Sequence, residues 1–553
     1  MNRYNQSAMI PCLALLLLPS IAFSQLRNPE FTDGLTGQAP AEWHIPPIFR
    51  ANFRAVNAIA SNLKRKRCVL LTNTSSQSGG VLRQAVDASR YRGKRVRFRA
   101  AVSLDTPLPG AKAQLWMRVD RPDGRVGFFD NMYYRPIISC HWRSYEIIGD
   151  VAPDATRILC GIIVNGQYAA RMTSASLTIL KTPSDALPRP TNLDSFSGPG
   201  ILDVHDVAAV AFANSNACRG QVTFPIPSAY RTQTPLTFRV STLPSTALQS
   251  YRWVRRPDGV NTILQVTVAR PPKSTVVIEW EMLVLVTGEH EAILRKTPLP
   301  VTRDQNLPTE WLKSTRCVQS DDPQIQAKAA ELATGAGDIE TYVRRVIQFT
   351  SANQGKPGAP FTTLDARAAL DCGGSCTSRA NLAAALLRAK GIPARTVAHL
   401  PAWGGQLYEH WLVEYWHPGS GWVSVESTLG KWRPSPETMA VLAIANPNDE
   451  DRSFAPENLR YVVAGAPYLN VPELSEQLKN ADLAPYDCAN YAAPAARIHG
   501  SHTQLERLIR TAGRAYKRMT KLGEQGKVPN RTRRILAAAA TGRPDRLSRS
   551  LQQ

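Results

Sequence analysis

The sequence predicts a multidomain chain: an N-terminal β-sandwich, a second small β-sandwich, an α+β domain and a basic helical tail. Three observations carry this. At 553 residues the chain exceeds the roughly 250–300 at which one core stops growing, so about three domains is the natural division. Apolar and polar residues alternate in short runs up to about Pro300, and from Pro308 apolar residues recur at helical spacing. From Arg497 to Arg549 only Glu506, Glu524 and Asp545 oppose many Arg and Lys, which places about half of the formal net charge of +22 at the C-terminus.

In chain order, residues 1–24 read as a signal peptide. Arg3 precedes an apolar stretch from Met9 to Phe23, and the small residues Ala22 and Ser24 mark a cleavage site before Gln25. An uncleaved anchor needs about 20 apolar residues, more than this stretch offers, and Cys12 sits inside it rather than at its end. No other segment is suited to span a bilayer, so the mature chain is expected to be exported, periplasmic or secreted, where disulfides persist.

Residues 25–182 are expected to form the first sandwich, with GKRVRFRAAVSL, AKAQLWMRVDR, RSYEIIGDV, TRILCGIIVNG and SASLTIL as strands. YRGKRVRFRAAV, LWMRVDRPDG and FFDNMYYRPI together resemble the jelly-roll, galactose-binding-like modules attached to many secreted bacterial enzymes. In that setting Tyr133, Tyr134 and Trp142 could stack on sugar rings; the ordinary role of such residues is core or rim. Residues 183–199 are rich in Pro, Ser and Gly and read as a linker. Residues 200–300 give the second sandwich, with LTFRVSTL, NTILQVTVAR and STVVIEWEMLVLV as strands, and 301–485 the α+β domain.

In the tail, 486–553, Leu505, Leu508, Ile509, Ala512 and Ala515 share one side of an amphipathic helix expected to dock loosely or stay mobile. Its charge suits an acidic envelope polymer, or else simply solvates the surface. No aromatic interleaving or nucleic-acid motif accompanies it, so no nucleic-acid partner is expected.

Eight cysteines follow the leader: Cys68, Cys140, Cys160, Cys218, Cys317, Cys372, Cys376 and Cys488. Two of them lie in DCGGSCTSRANLAAALLRAKGIPAR, residues 371–395. Gly373 and Gly374 break one helical pattern, and the next runs to about Lys390 before Gly391 and Pro393 stop it. Cys376 then sits in a first helical turn, where unpaired N–H groups and the helix dipole favour a thiolate. Ala380, Ala383, Ala384 and Leu387 share its face, a surface small enough for close packing on a sheet.

Downstream, LYEHWLVEYWHPGSGWVSVEST reads as a hairpin. Pairing about Pro418 sets Trp416 opposite Ser420, Glu414 opposite Trp422 and His410 opposite Glu426, so that imidazole and carboxylate share a face.

Gly374-x-Cys376 with Ala380, then LLRAKGIPAR, His410-Trp411, and Gly421-Trp422-Val423 leading to Glu426 together resemble the transglutaminase-like superfamily, a branch of the papain-like cysteine enzymes. The resemblance covers about 308–470. It implies a papain-like α+β fold with Cys376 as nucleophile, His410 as base and later acid, and Glu426 as the group that orients the imidazole. The family's third residue is usually Asp, so Glu is a departure. The Trp that animal transglutaminases place before the nucleophile is not found; Gln348, Asn353 and Gln354 are candidate oxyanion donors beside the Cys376 N–H.

No metal or cofactor is expected, since Cys372, Cys376 and His399 or His410 lack zinc-ligand spacing. Cys372 lies outside the helix and reads as structural, buried or bonded to Cys317, while a Cys372–Cys376 disulfide would silence the site. The expected function is an exported peptidase or amidase acting on a protein or peptide. The alternatives are a protein-glutamine γ-glutamyltransferase and a non-catalytic protein that binds carbohydrate or envelope polymer.

Overall fold

The computed structural model describes residues 26–60, 63–75, 79–105, 111–122, 124–133, 135–181, 198–211, 218–256, 259–270, 275–287, 297–299, 307–353, 364–402, 410–430, 439–447, 449–450 and 485–553. The expected leader and nearly all of the expected linker lie outside them.

The first sandwich is built from β1 (Phe53–Ala60), β2 (Lys66–Asn73), β3 (Gly79–Asp87), β4 (Arg95–Leu104), β5 (Lys112–Asp120), β6 (Val126–Asp130), β7 (Arg143–Asp150), β8 (Arg157–Asn165) and β9 (Ala169–Ile179). Two antiparallel sheets, β1-β2-β9-β4-β7 and β3-β8-β5-β6, face each other. β4 shows why: Val96, Phe98, Ala100 and Val102 point into the shared core while Arg95, Arg97 and Arg99 alternate outward. Tyr133 is exposed and Trp142 half-buried, and Tyr134 lies outside the described residues.

The second sandwich begins with β10 (Gly200–Ala211), β11 (Cys218–Ile226), β12 (Gln233–Pro235), β13 (Arg239–Leu243), β14 (Leu248–Arg255), β15 (Thr262–Arg270) and β16 (Thr275–Val286). The chain then leaves to build the α+β domain. Its helices are α1 (Pro323–Ala333), α2 (Ile339–Ala352), α3 (Ala366–Cys372) and α4 (Cys376–Arg388). Asp322, Asp338 and Asp365 each cap one of the first three by accepting backbone N–H bonds. An antiparallel sheet follows, of β17 (Ala394–Pro401), β18 (His410–His417), β19 (Gly421–Val425) and β20 (Met439–Ile444), in the order β19-β18-β17-β20. α4 is buried along its length between the other helices and this sheet, and its alanine face lets it lie close.

The chain then returns. β21 (Pro485–Arg497) pairs antiparallel with β10, from Gly200 opposite Arg497 to Val210 opposite Pro485. The α+β domain is thus inserted within the second sandwich, whose sheets are β12-β16-β10-β21, with β13 also on β16, and β11-β15-β14.

The two bodies are joined by side chains acting as a strand. The Gln233 amide donates to the Val441 carbonyl at 2.9 Å and accepts from the Val441 N–H at 2.8 Å. Asn261 holds both backbone groups of Ile444 at 2.8 Å in the same way. β20, which would otherwise present unpaired groups along its outer edge, is thereby fixed to the sandwich.

The C-terminal residues are not the loosely docked tail expected from sequence. α5 (His502–Glu524), α6 (Thr532–Ala539) and α7 (Pro544–Gln552) pack Leu508, Ala512, Ile535, Leu547 and Leu551 onto Ile201, Leu283 and Leu285 of the sandwich. The cause lies in β16, which is apolar on both faces: Met282 and Val284 face the sandwich core, and Leu283 and Leu285 need a cover. Of the expected stripe, Leu505 and Ala515 are half-buried and Ile509 stays exposed.

Candidate active site

Cys376 is the first residue of α4, preceded by Ser375 as N-cap. The turn that delivers it depends on glycine. Gly373 has φ 68° and Gly374 φ 148°, and a Cβ on Gly374 would lie 2.1 Å from the Ser378 hydroxyl oxygen. Both conformation and space therefore disfavour a side chain there.

His410 opens β18, next to His399 on β17. Its imidazole has the Cys376 thiol and the Glu426 carboxylate as its electrostatic partners, with Nε2 3.3 Å from Glu426 Oε1, an ion-pair distance whose angle does not meet hydrogen-bond geometry. Glu426 is fully buried, and its two oxygens accept from the Thr428 N–H at 2.8 Å and the Leu429 N–H at 3.0 Å, which fixes the carboxylate independently of the imidazole.

The three side chains expected to work together are therefore brought together, but in a different register. Trp416 pairs with Trp422 and Val413 with Val425, so the hairpin centres on Gly419, not Pro418. Extended one step, this pairing sets Glu426 opposite Leu412 and diagonal to His410. Diagonal neighbours stand about 7–8 Å apart, against about 4.5–5.5 Å for direct ones. The longer glutamate spans that diagonal, which gives the departure from Asp a physical reason.

Burial acts to lower the His410 pKa, but the thiol and carboxylate partners outweigh it and push it up to about 9 from its ordinary 6.5. His399, edge-on to His410 at 5.4 Å between ring centroids, is held well below the usual histidine range by burial and by the His410 charge. The two shifts run in opposite directions, so the charged form is favoured at His410 and the neutral form at His399. The arrangement is suited to a thiolate–imidazolium pair.

Asn353 donates to the carbonyls of Ala369 at 3.0 Å and Leu370 at 3.2 Å, so its amide serves the end of α3 rather than an oxyanion. Gln348 is exposed on α2, and Gln354 lies outside the described residues. Cys372 ends α3 and carries no disulfide, so the bond to Cys317 is not formed. Sequence reasoning passed over Arg379, a buried cation in α4; the signal was a charged residue within one turn of Cys376, on a helix buried along its length.

Residues 322–427 match the model of the transglutaminase-like superfamily. Two curated relatives share parts of the chain. An uncharacterised HTH-type transcriptional regulator, YbfP, of Bacillus subtilis is 34% identical over 122 residues, 20% of this chain and 40% of that protein. A protein-glutamine gamma-glutamyltransferase of Pseudomonas aeruginosa is 29% identical over 209 residues, 35% of this chain and 30% of that protein. The chain thus spans well under half of either relative. Among solved structures, one from Cytophaga hutchinsonii provisionally named a cysteine protease aligns with TM-score 0.37 and 16% identity, over 50% of this chain and 89% of that one. The CBM22-1 xylan-binding domain of a Paenibacillus barcinonensis protein aligns with TM-score 0.23 and 11% identity, over 28% of this chain and 92% of that one. With a family match that spans Cys376 and His410 and ends just beyond Glu426, the chain carries a transglutaminase-like superfamily domain at residues 322–427.

Proposed function

We propose that this domain is a cysteine enzyme that cleaves amide bonds through Cys376, His410 and Glu426. The observation that carries the reading is His410 held between thiol and carboxylate with its pKa raised to about 9. With the imidazolium formed at neutral pH, the sulfur attacks the amide carbonyl as a thiolate. As the C–N bond breaks, His410 gives its proton to the departing amine and a thioester remains on Cys376. Neutral His410 then takes a proton from the acceptor, which attacks the thioester and returns the thiolate. Glu426 holds the ring and stabilises its charged form.

Water as acceptor makes the enzyme a peptidase or amidase on proteins or peptides, our primary reading because water needs no recognition site. The partial match to a protein-glutamine gamma-glutamyltransferase supports a second reading, in which an amine replaces water and the product is a cross-link. Incubation with Gln-containing peptides, with and without a primary amine, decides between them by product mass. Hydrolysis or deamidation in both arms fits the first reading, an amine adduct the second, and no turnover of any peptide the non-catalytic alternative.

Export belongs to the same proposal and is supported by the leader-like residues 1–24. Among the described residues no helix is long and apolar enough to cross a membrane. Arg507, Arg510, Arg514, Lys517 and Lys521, exposed along α5, suit an acidic envelope polymer, and the exposed Tyr133 suits a sugar face.

A further inference from the structure

Arg379 lies three residues beyond Cys376 in α4 and is 7% exposed. Burying a guanidinium is costly unless its donors are used. Here Nε donates to the Gly374 carbonyl at 3.0 Å and Nη1 to the Ser351 carbonyl at 3.1 Å. Ser351 is in the last turn of α2, where helical carbonyls lack partners and a cation is favoured by the dipole. Gly374 is the residue with φ 148° two positions before the sulfur. Glycine visits many such conformations freely, so an anchor is what selects one of them, and the planar guanidinium grips both carbonyls at once. Because a trans peptide points its C=O and N–H in opposite directions, fixing the Gly374 carbonyl also fixes the Ser375 N–H and the approach of the chain to Cys376.

We propose that Arg379 is a positioning residue for the nucleophile: it ties the glycine turn before Cys376 to the end of α2 and so sets where the sulfur stands against His410. This rests on the reading of Cys376 as nucleophile. Lysine keeps the charge but cannot span two carbonyls with a fork, and alanine loses both.

The test is the rate of Cys376 alkylation by iodoacetamide as a function of pH, for the full chain and for Arg379→Lys and Arg379→Ala, alongside melting curves. The expected result is a wild-type rate at neutral pH well above that of a model thiol. Arg379→Lys should fold but label about tenfold more slowly, with its pH profile moved upward, and millimolar guanidinium should partly restore Arg379→Ala while ammonium does not. Folded variants that label with the wild-type rate and profile overturn the proposal, and so does loss of the fold in both variants, which would make Arg379 a core residue only. A wild-type Cys376 no faster than the model thiol overturns the nucleophile reading itself, and the proposal with it.

Discussion

Glu426 stands one residue past the end of β19 and still places Oε1 3.3 Å from Nε2 of His410. The contact depends on reach, because the register, carried one step past its last pair Val413–Val425, sets the two residues diagonal rather than opposite. Glu426→Asp should therefore lose activity by at least about tenfold, or about 1.4 kcal/mol of barrier, although it keeps the charge. Glu426→Gln should lose more, on the order of 10³–10⁴-fold, since an amide does not stabilise the imidazolium and gives up one of the two backbone N–H bonds. Rates on a turned-over peptide check both, and an Asp variant at the wild-type rate would restore the directly opposed pairing.

The raised His410 pKa sets an alkaline limit. In the proposed reaction His410 gives a proton to the leaving amine only while protonated, so kcat/KM should fall as pH rises through about 9. In Glu426→Gln the limb should move to lower pH, because a partner that favours the charged ring is gone. Linkage runs the same way: a histidine raised from 6.5 contributes stability in full below about 6.5 and loses it as pH rises through about 9. Melting temperatures across that range, with Cys376→Ala as control, measure it.

The two neighbouring cysteines should behave differently. Cys376→Ala should abolish acyl-enzyme formation and rapid labelling, whereas Cys372→Ala, altering the last residue of α3, should leave the rate within roughly tenfold. Intact-mass measurement of trapped acyl-enzyme separates the outcomes.

Gly374→Ala should misplace Cys376 rather than unfold the domain. The new Cβ meets the Ser378 hydroxyl in a φ region that costs about 1–3 kcal/mol. Adding Ser378→Ala removes the hydroxyl clash but leaves the residue 378 Cβ at 3.1 Å and the φ strain. The double variant should therefore recover only part of the Cys376 labelling rate.

The C-terminal helices should be needed for stability although they lie beyond the matched domain. Leu508 is 1% exposed against the outer face of the sandwich sheet, and Leu508→Ala should cost about 2–5 kcal/mol. Chemical denaturation followed by tryptophan fluorescence measures this. An unchanged midpoint would return these residues to the status of a loose tail.

What the sequence revealed and what it hid divide by range. The entry of α4 at Cys376, its alanine face and the strand on each side of the hairpin are local matters of glycine, capping and periodicity, and they stand where the text puts them. The hairpin register was missed because Gly419 and Gly421 both take left-handed φ, 81° and 74°, which moves the turn centre by one residue and the pairing by two. Docking of the C-terminal helices was missed although a sign was present: EMLVLV is apolar without alternation, as a strand covered on both faces must be. β21, written PYDCANYAAPAAR, has no strand text at all, being Ala- and Pro-rich, and its assignment comes from its partner β10.

The return of β21 to β10 also orders events during synthesis. β10 is complete at Ala211, and the strand that covers its open side begins at Pro485. At about 5–20 residues per second, the ribosome takes on the order of tens of seconds to deliver it, during which the whole transglutaminase-like domain emerges and can fold. Through that interval β10 keeps a bare edge and β16 an uncovered apolar face, both open to wrong pairing. The nascent chain is therefore most in need of a chaperone after its inserted α+β domain has been made and before its last helices arrive.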